Sequence, residues 1–322
     1  MKISISNVLL APWINGVIVT AIRLNVFSIV SDQALTAKEI ASKCHAVNDR
    51  LKPLLDACSS LGILEFENNK YKNSHFSSVY LVKGNKLYIG DFLKILNYES
   101  LQWFQLPDAI LGKDKDDIEI PCLKTDHKTF ISAMNCIGHL GEAEALKDFV
   151  NLSGFKQMTD VGGGSGLYSL ALCQKYPDLH ATILDVKETL AVTEELIANR
   201  QEGERIILRE GDFLKDSLGE DLDVVLLSDV MYGESDAKII LKNVWQSLQQ
   251  SGLLIIRGYY SDPERSGPAF GALFAVKLLV DNPARKIMTI SNLERNVREA
   301  GFEIISISPL TEYSFVLIGK KK

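Results

Sequence analysis

The segment Lys156-Gln-Met-Thr-Asp-Val-Gly-Gly-Gly-Ser-Gly166 places a short run of mostly uncharged residues directly before a cluster of four glycines. The run ends at Asp160, and the amphipathic segment Leu167–Lys175 follows the last glycine. This order predicts a strand, a glycine turn and a helix. Glycine is needed where the backbone takes positive φ or a ligand approaches closely, and a helix N-terminus presents unpaired N–H groups. The segment therefore predicts a pocket for the polar part of a nucleotide-like cofactor.

The spacing of the glycines narrows the choice of cofactor. Gly162 and Gly164 fit the dinucleotide fingerprint Gly-x-Gly-x-x-Gly, but Leu167 stands at its third position. The remaining pattern runs from Asp160 to Gly166, with a carboxylate at the strand end. Such an acid suits a cofactor with an ammonium group and no phosphate, which favours S-adenosyl-L-methionine (SAM). A purely structural turn is the alternative, because glycine clusters are common in loops.

Acidic and polar residues also follow the next predicted strands. Asp185 ends the second strand, where a carboxylate can accept both ribose hydroxyls. Asp212 and Phe213 follow the third, and we assign them to the adenine amino group and ring. Ligands of parallel sheets bind beyond the carboxyl ends of the strands. The predicted cofactor-binding residues are Asp160, Gly162, Gly164, Gly166, Asp185, Asp212, Phe213 and Ser228.

The second half of the chain alternates strands and helices. Continuous apolar strands such as Val224–Leu227 indicate burial on both faces, as in a parallel sheet. The end of the chain instead predicts an antiparallel hairpin from Phe302–Ser308 and Tyr313–Gly319. We therefore predict an α/β, Rossmann-like domain whose mostly parallel sheet carries a terminal antiparallel hairpin, the arrangement of SAM-dependent methyltransferases. Its parallel strands are predicted at Gln157–Val161, His180–Asp185, Arg205–Glu210, Leu222–Leu227 and Leu253–Arg257.

The N-terminal part has the pattern of a winged helix. Residues 7–30 predict a mostly apolar helix, and Thr36–Glu39 is a capping box that opens a helix to about Cys44. Asn48 is predicted to cap a second helix that Gly62 ends. A hairpin turning at Asn68-Asn69 follows.

A winged helix raises DNA binding as an alternative function. Base readout needs Arg, Lys, Asn or Gln side chains on the reading helix. The second helix offers Arg50 and Lys52 near its start and then mostly Leu, Ala, Cys and Ser. This composition favours protein contacts over DNA.

We divide the chain into a winged-helix dimerisation domain (1–86), a helical linker and pocket roof (87–150) and a SAM-binding domain (151–322). Within the linker, Pro107 and the charged stretch Lys113–Glu119 predict a loop, and Phe130–Val150 predicts a long helix.

The composition limits the other function classes. The chain has 322 residues, 46% of them apolar, and a net charge of −6, so wholesale nucleic-acid binding is not expected. No apolar run is long enough for a membrane span, and no signal peptide is recognisable. The five cysteines form no CxxC pair, which suits free thiols without zinc in a cytoplasmic protein.

Segments spread over the chain match one family pattern: Phe130–Met134, Phe149, Gly154-Phe155, Asp160–Gly166, Gly211–Phe213, Ser235-Asp236, Ile240-Leu241, Gly252–Ile256 and Ala300–Phe302. On these segments the chain resembles the small-molecule O-methyltransferases, which include plant caffeate-type, acetylserotonin and bacterial antibiotic-pathway enzymes. The resemblance covers nearly the whole length. It implies an intertwined homodimer in which the N-terminal domain helps to close the partner's substrate site. It also implies that Met134 flanks the substrate.

The chain departs from this family at the catalytic base. Family members usually carry a His-Asp-Trp run after the fourth strand, and here Tyr232 stands in place of the His. The two acids that orient that His are replaced by Arg257 and Ile287. His127 and His139 are the histidines nearest to plausible pocket walls, and neither is a convincing substitute base.

The sequence leaves several roles open. Tyr232 is predicted to position the substrate or to shuttle a proton, with a simple pocket wall as the alternative. Arg257 faces an anionic substrate group or pairs internally with Asp229 or Glu234. We expect methylation of a small aromatic or conjugated molecule at oxygen or carbon; the alternative is a SAM-binding homologue that catalyses hydroxylation or a pericyclic reaction. Candidate pocket walls are Trp103, Phe104, Phe130, Met134, Met231, Tyr259, Phe270, Phe274 and Met288.

Overall fold

The computed structural model describes residues 4–31, 33–112, 126–260, 269–282 and 287–322, without the side chain at position 7. It divides into two compact units, Met1–Leu101 and Gln102–Lys322. The predicted loop at Lys113–Glu119 lies outside the described residues. The predicted three-part domain division remains a prediction.

The N-terminal unit has the helix, turn, helix and hairpin order of a winged helix. Thr36 forms the predicted capping box, since its hydroxyl accepts from the Glu39 N–H at 3.3 Å and its own N–H donates to Glu39 Oε2 at 2.7 Å. The elements are α1 (Ile5–Arg23), α2 (Val26–Ile29), α3 (Ala37–Lys43), α4 (Asn48–Ser60), β1 (Leu64–Glu67), β2 (Lys70–Asn73), α5 (His75–Tyr80) and α6 (Gly90–Gln102).

Two predictions for this unit were wrong in detail. The single helix over 7–30 is broken at Asn25, which takes left-handed backbone angles (φ 58°) that asparagine tolerates better than most residues. Asn48 does not cap α4: it is the first helical residue, and Val47 occupies the cap position with extended backbone and no side-chain hydrogen bond.

The C-terminal unit is built on one seven-stranded sheet of order β5-β4-β3-β6-β7-β9-β8. Its first five strands are parallel, and β9 pairs antiparallel with both β7 and β8. The strand order reverses between β3 and β6, which is where open α/β sheets bind ligands. The strands are β3 (Gln157–Val161), β4 (His180–Asp185), β5 (Ile206–Glu210), β6 (Leu222–Ser228), β7 (Leu248–Gly258), β8 (Phe302–Pro309) and β9 (Phe315–Lys321).

The predicted fold class and all seven strands are confirmed, with shifts at some ends. β7 begins five residues early because it includes an irregular stretch with left-handed Ser251. β9 begins late because Thr311 and Ser314 close a turn: the Ser314 N–H donates to Thr311 Oγ1 at 3.2 Å.

Helices surround this sheet, and two of the predicted linker features were wrong. Pro107 is not in a loop but in the first turn of a helix, where a missing N–H costs nothing. The long helix predicted from Phe130 is interrupted by a wide turn, Gly138–Glu142, with Gly141 at φ 119°. The helices are α7 (Leu106–Ile110), α8 (His127–Ile137), α9 (Ala143–Phe149), α10 (Leu167–Lys175), α11 (Lys187–Ile197), α12 (Glu234–Ser247), α13 (Ala269–Asp281) and α14 (Ile290–Glu299).

The sheet's apolar strands form two buried clusters. Val225 and Leu227 belong to one cluster and Val224 and Leu226 to the other, because successive strand residues point to opposite faces. This burial on both faces fixes the carboxyl ends of β3, β6 and β7 relative to each other. Over the described part of the chain, no helix is both long and apolar enough to cross a bilayer.

Candidate active site

The glycine turn after β3 has the conformation that its sequence predicts. Gly162 and Gly166 have φ values of 63° and 75°, in the left-handed region that favours glycine. A Cβ at Gly166 would lie 2.9 Å from Ile183, and one at Gly162 would lie 2.5 Å from Val230. These two positions therefore require glycine for both backbone and packing.

Asp160 lies directly beneath this turn and is fully buried. A Cβ on Gly163 would be 2.8 Å from the Asp160 Cγ, so the loop backbone covers the carboxylate. Ser169 Oγ donates to Asp160 Oδ2 at 2.7 Å, while Oδ1 has no hydrogen-bond partner among the described residues. Burial raises the pKa of Asp160 to about 7; the negative charge of Asp185 adds to the rise and the Ser169 bond opposes it. A buried acceptor without a donor fits a cofactor that carries positive charge.

The raised pKa makes the stability of the ligand-free protein depend on pH. Because the pKa of Asp160 is 3.8 ordinarily and about 7 when folded, folding takes up a proton between these values. The stabilisation that this proton uptake gives the folded protein is complete below pH 3.8 and is lost as the pH rises to 7. Relative to Asp160→Asn, the wild type should lose up to about 1.4 kcal/mol of unfolding free energy per pH unit.

Urea unfolding of both proteins at pH 5, 6, 7 and 8 measures this difference. We expect the unfolding free energy of the wild type to fall relative to that of Asp160→Asn up to about pH 7, and the difference between the two to stay constant above it. A constant difference across the series would contradict a titrating Asp160.

The other predicted cofactor residues lie at the carboxyl ends of their strands. Asp185, after β4, accepts from the Gly164 N–H at 3.0 Å and from the Val186 N–H at 2.7 Å. Asp212 accepts from the Leu214 N–H at 3.0 Å and pairs with Lys215 at 2.6 Å, an exposed contact. Asp185 thus ties its strand to the glycine turn.

Phe213 and Ser228 complete the predicted set. Phe213 is half-buried against the core and lies 3.6 Å from a Cβ built on Gly162. Ser228 is the last residue of β6 and is half-buried. Phe213 therefore borders the turn, and Ser228 lies at the adjacent strand end.

The three residues that the family resemblance aligns with the catalytic base and its two orienting acids lie together. Tyr232, Arg257 and Ile287 line one cavity of about 10 Å³, room for about one water molecule. Its remaining lining residues include Met231 and Met288, both predicted as pocket walls, and the full set is Leu227, Asp229, Val230, Met231, Tyr232, Ile256, Arg257, Tyr259, Tyr260, Ile287 and Met288.

Arg257 is held in a buried ion-pair network. Its side chain is 3% exposed, and it pairs with Asp229 and with Glu142, whose Oε2 lies 2.5 Å from Nη2 and 3.1 Å from Nε. Glu142 also accepts from Thr311 Oγ1 at 2.5 Å and from Ser314 Oγ at 2.6 Å. Of the two internal partners considered from sequence, Asp229 makes the contact, whereas Glu234 pairs with the exposed Arg295.

Tyr232 and Tyr259 belong to an aromatic cluster with residues of α13. The Phe274 ring centroid lies 6.2 Å from that of Tyr232 and 5.3 Å from that of Tyr259, and Phe270 lies 4.8 Å from Tyr259. The Arg257 guanidinium stands 4.5 Å over the Tyr259 ring. Burial raises the pKa of Tyr232 well above its ordinary value, so the phenol stays protonated and is suited to orient rather than to remove a proton.

The other predicted wall residues do not line this cavity in the described structure. Trp103 and Phe104 sit in a short turn that packs on α13, with Phe104 78% exposed. Phe130 and Met134 are on α8, which packs against α11. His127 Nε2 lies 2.8 Å from Thr189 Oγ1, at that same contact.

Sequence reasoning missed Glu142 and gave Asp229 only a pairing role. Glu142 follows the kink at Gly141 and is 115 residues from Arg257 along the chain, so no local pattern connects them. For Asp229 a signal existed: it is an acid one residue after the apolar strand β6, at the edge where ligands bind.

A glycine turn, three strand-end acids and a seven-stranded sheet with β9 inserted antiparallel define a class I methyltransferase. The family model for an O-methyltransferase domain matches residues 123–303, and that for an O-methyltransferase dimerisation domain matches residues 7–83. The chain belongs to the O-methyltransferase family. It is a SAM-dependent methyltransferase, as the sequence predicted.

Characterised relatives agree with this membership. The chain is 28% identical over 277 residues to 3-hydroxy-5-methyl-1-naphthoate 3-O-methyltransferase of Streptomyces sahachiroi, covering 83% of this chain and 80% of that one. It is 27% identical over 330 residues to acetylserotonin O-methyltransferase of Gallus gallus, covering 96% and 94%. The crystal structure of human N-acetylserotonin methyltransferase with SAM has the same fold, with a TM-score of 0.86, 21% identity and coverage of 98% and 96%.

Proposed function

We propose that this protein transfers the methyl group of SAM to a small aromatic or conjugated metabolite, at oxygen or carbon, without the family's histidine base. The observation that carries this proposal is the gathering of Tyr232, Arg257 and Ile287 around one cavity. That cavity adjoins the glycine turn, because its lining residue Val230 also packs on Gly162. We therefore treat these three residues and the glycine turn as parts of one proposed site.

Placement rather than strong acid–base catalysis accounts for most of the rate in this proposal. The cofactor supplies a methyl group on a positively charged sulfur, and the transfer needs in-line placement of the acceptor. Orientation of this kind can contribute on the order of 7–11 kcal/mol. The neighbouring rings of Tyr232, Tyr259 and Phe274 offer an aromatic surface for a flat acceptor.

The relatives suggest which acceptors to try first. Their names specify a hydroxynaphthoate and acetylserotonin, both small aromatic molecules. We therefore choose 3-hydroxy-5-methyl-1-naphthoate, N-acetylserotonin and simpler phenols as a panel, with electron-rich carbon acceptors as a second set.

Calorimetry with SAM followed by detection of S-adenosylhomocysteine with each acceptor tests the proposal. Binding and product formation support it. Absence of SAM binding contradicts it, and binding without transfer to any acceptor favours the alternative of a different SAM-promoted reaction. The relatives are methyltransferases and give that alternative no support.

Replacing Tyr232 with phenylalanine tests its orienting role. Because the phenol is protonated, we expect the loss of one hydrogen bond to the substrate, worth about 1 kcal/mol, and a fall of roughly fivefold in kcat/KM. Tyr260→Phe serves as the control, since it removes a buried phenol of the same cavity. Unchanged turnover in Tyr232→Phe would reduce Tyr232 to a wall residue.

We also propose that two copies associate through the N-terminal unit, whose match is to a dimerisation domain. Ile5, Leu9 and Trp13 on α1 are 66–80% exposed, which leaves an apolar surface for a partner. We propose this role for the winged helix in place of DNA binding.

Light scattering of the intact protein tests the proposed association and should give twice the mass of one chain. A cytoplasmic location remains part of the proposal.

A further inference from the structure

Asp229 is the carboxylate of the cavity that holds Tyr232. Among the described lining residues, no other side chain is suited to accept a proton near neutral pH. Arg257 stays charged, and burial raises the pKa values of Tyr232, Tyr259 and Tyr260. The proton acceptor that the missing histidine leaves unassigned therefore has one candidate in this cavity.

The backbone of Asp229 is held in an unusual conformation. Its φ of 57° is left-handed, which is uncommon for a residue other than glycine. Its N–H donates to the Arg257 carbonyl at 3.0 Å, and Oδ1 accepts from the Tyr259 N–H at 3.4 Å. Residues held in such conformations cluster at functional sites. The side chain is 24% exposed, against 3% for Arg257.

Two carboxylates share the single guanidinium of Arg257 unequally. Glu142 contacts Nε and Nη2 and receives hydroxyl donors from Thr311 and Ser314, whereas Asp229 contacts only Nη1. Burial by itself would raise the pKa of both carboxyls. In Glu142 the guanidinium and the hydroxyls outweigh burial and lower the net pKa, whereas in Asp229 burial prevails over Arg257 and the pKa is raised. When the surroundings of two titratable groups push their pKa values apart, the difference indicates which group acts as the acid and which as the base.

We propose that Asp229 is the proton acceptor in methyl transfer, an inference that rests on the proposed function and narrows its acceptor to an aromatic hydroxyl. The O–H bond of the acceptor breaks and its proton moves to the Asp229 carboxylate. SAM bound at the glycine turn would supply the methyl carbon, so that an oxygen–carbon bond would form as the sulfur–carbon bond breaks and leaves its electron pair on sulfur. Arg257 and Glu142 are positioning residues.

Among the described residues, titratable and charged groups from several elements face Asp229. They are Arg257 of β7, Glu142 of the turn before α9, Tyr168 of α10, Tyr232 of the loop after β6, and Tyr259 and Tyr260 after β7. The base must be ionised to act, so turnover should fall as the pH drops through the pKa of Asp229 and this acid limb should lie above that of an ordinary aspartate.

Carboxyl NMR tests the assignment without cofactor or acceptor. Full-length wild type and Asp229→Asn, both labelled with ¹³C at the aspartate carboxyls, are titrated in parallel. We expect a resonance that the variant lacks and that titrates above the ordinary aspartate range. If the missing resonance titrates within or below that range, Asp229 is not the base.

Turnover of a phenolic acceptor from the panel gives the second test. In Asp229→Asn, kcat should fall at least about 100-fold, with SAM affinity retained and the acid limb of the pH profile lost. Asp229→Glu should restore part of the rate. Glu142→Gln is the matched control: it removes the other carboxylate from the same guanidinium, so it should lower the melting temperature but keep the acid limb.

The outcomes separate this inference from the function on which it rests. A wild type that binds SAM and methylates only carbon acceptors overturns the hydroxyl acceptor and the role of Asp229 but leaves the proposed function intact. One that binds SAM and methylates neither phenols nor carbon acceptors overturns both. If the wild type is active, two results overturn only the role of Asp229. One is a kcat for Asp229→Asn within tenfold of the wild-type kcat. The other is a Glu142→Gln variant that loses as much activity as Asp229→Asn and also loses the acid limb.

Discussion

Replacing Arg257 with methionine is expected to destabilise the C-terminal unit by about 3–5 kcal/mol. The substitution leaves two carboxylates, Glu142 and Asp229, in a buried site without their shared cation. Removing one partner of a buried ion pair leaves the other charge unpaired in a medium of low dielectric constant, which lowers the free energy of unfolding. Removing an exposed pair changes that free energy little. The loss should lessen at acidic pH, because protonation removes the stranded charges.

Chemical denaturation of Arg257→Met and Arg295→Met measures this effect against a matched control. Arg295 pairs with Glu234 on the surface, where both side chains are more than half exposed (52% and 53%), and its replacement should cost about 0–1 kcal/mol. Equal losses in the two variants would show that the buried network contributes no more than a surface pair.

Replacing Gly166 with alanine should weaken SAM binding by about 100-fold or more. The residue has φ 75°, and an added Cβ would lie 2.9–3.2 Å from Ile183, Thr193 and Ile197. Left-handed backbone costs an L-residue about 1–2 kcal/mol, and an overpacked core about 1–3 kcal/mol more. The turn can relieve both only by moving, and it then no longer matches the cofactor.

Calorimetric titration with SAM measures the loss, and Gly84→Ala is the control. Gly84 also has positive φ (94°), but nothing lies within 4 Å of its added Cβ and it belongs to the N-terminal unit. It therefore carries backbone strain without a clash. A Gly166→Ala protein that melts normally and binds SAM as the wild type does would contradict the requirement for glycine.

The sequence was sufficient for features that local patterns encode. The strands β4 and β6 are mainly apolar and end in the polar residues Asp185 and Ser228, and β3 carries Asp160 one residue before its end, so both their position and the ligand-binding edge could be predicted. The turn at Gly162–Gly166 and the capping box at Thr36 are likewise set by neighbours in the chain.

The features that escaped prediction depend on contacts between distant residues. Glu142 contacts Arg257 because the chain kinks at Gly141, and the hydrophobic periodicity of the sequence does not predict that kink. Asp160 fits the expected position, but its coverage by Gly163 depends on how the turn folds back. Local spacing gives the strand end and not the side-chain environment, so the pKa of Asp160 was beyond the sequence.

The place of β9 in the sheet sets the order in which the C-terminal unit is completed during synthesis. β8 is made before β9, yet β9 lies between β7 and β8 and is hydrogen-bonded to both. Until residues 315–321 have left the ribosome, β7 presents an open edge and β8 lacks its neighbour β9. Open edges pair readily with other chains. The nascent protein is therefore most exposed to aggregation in the interval between the synthesis of β7 and that of β9.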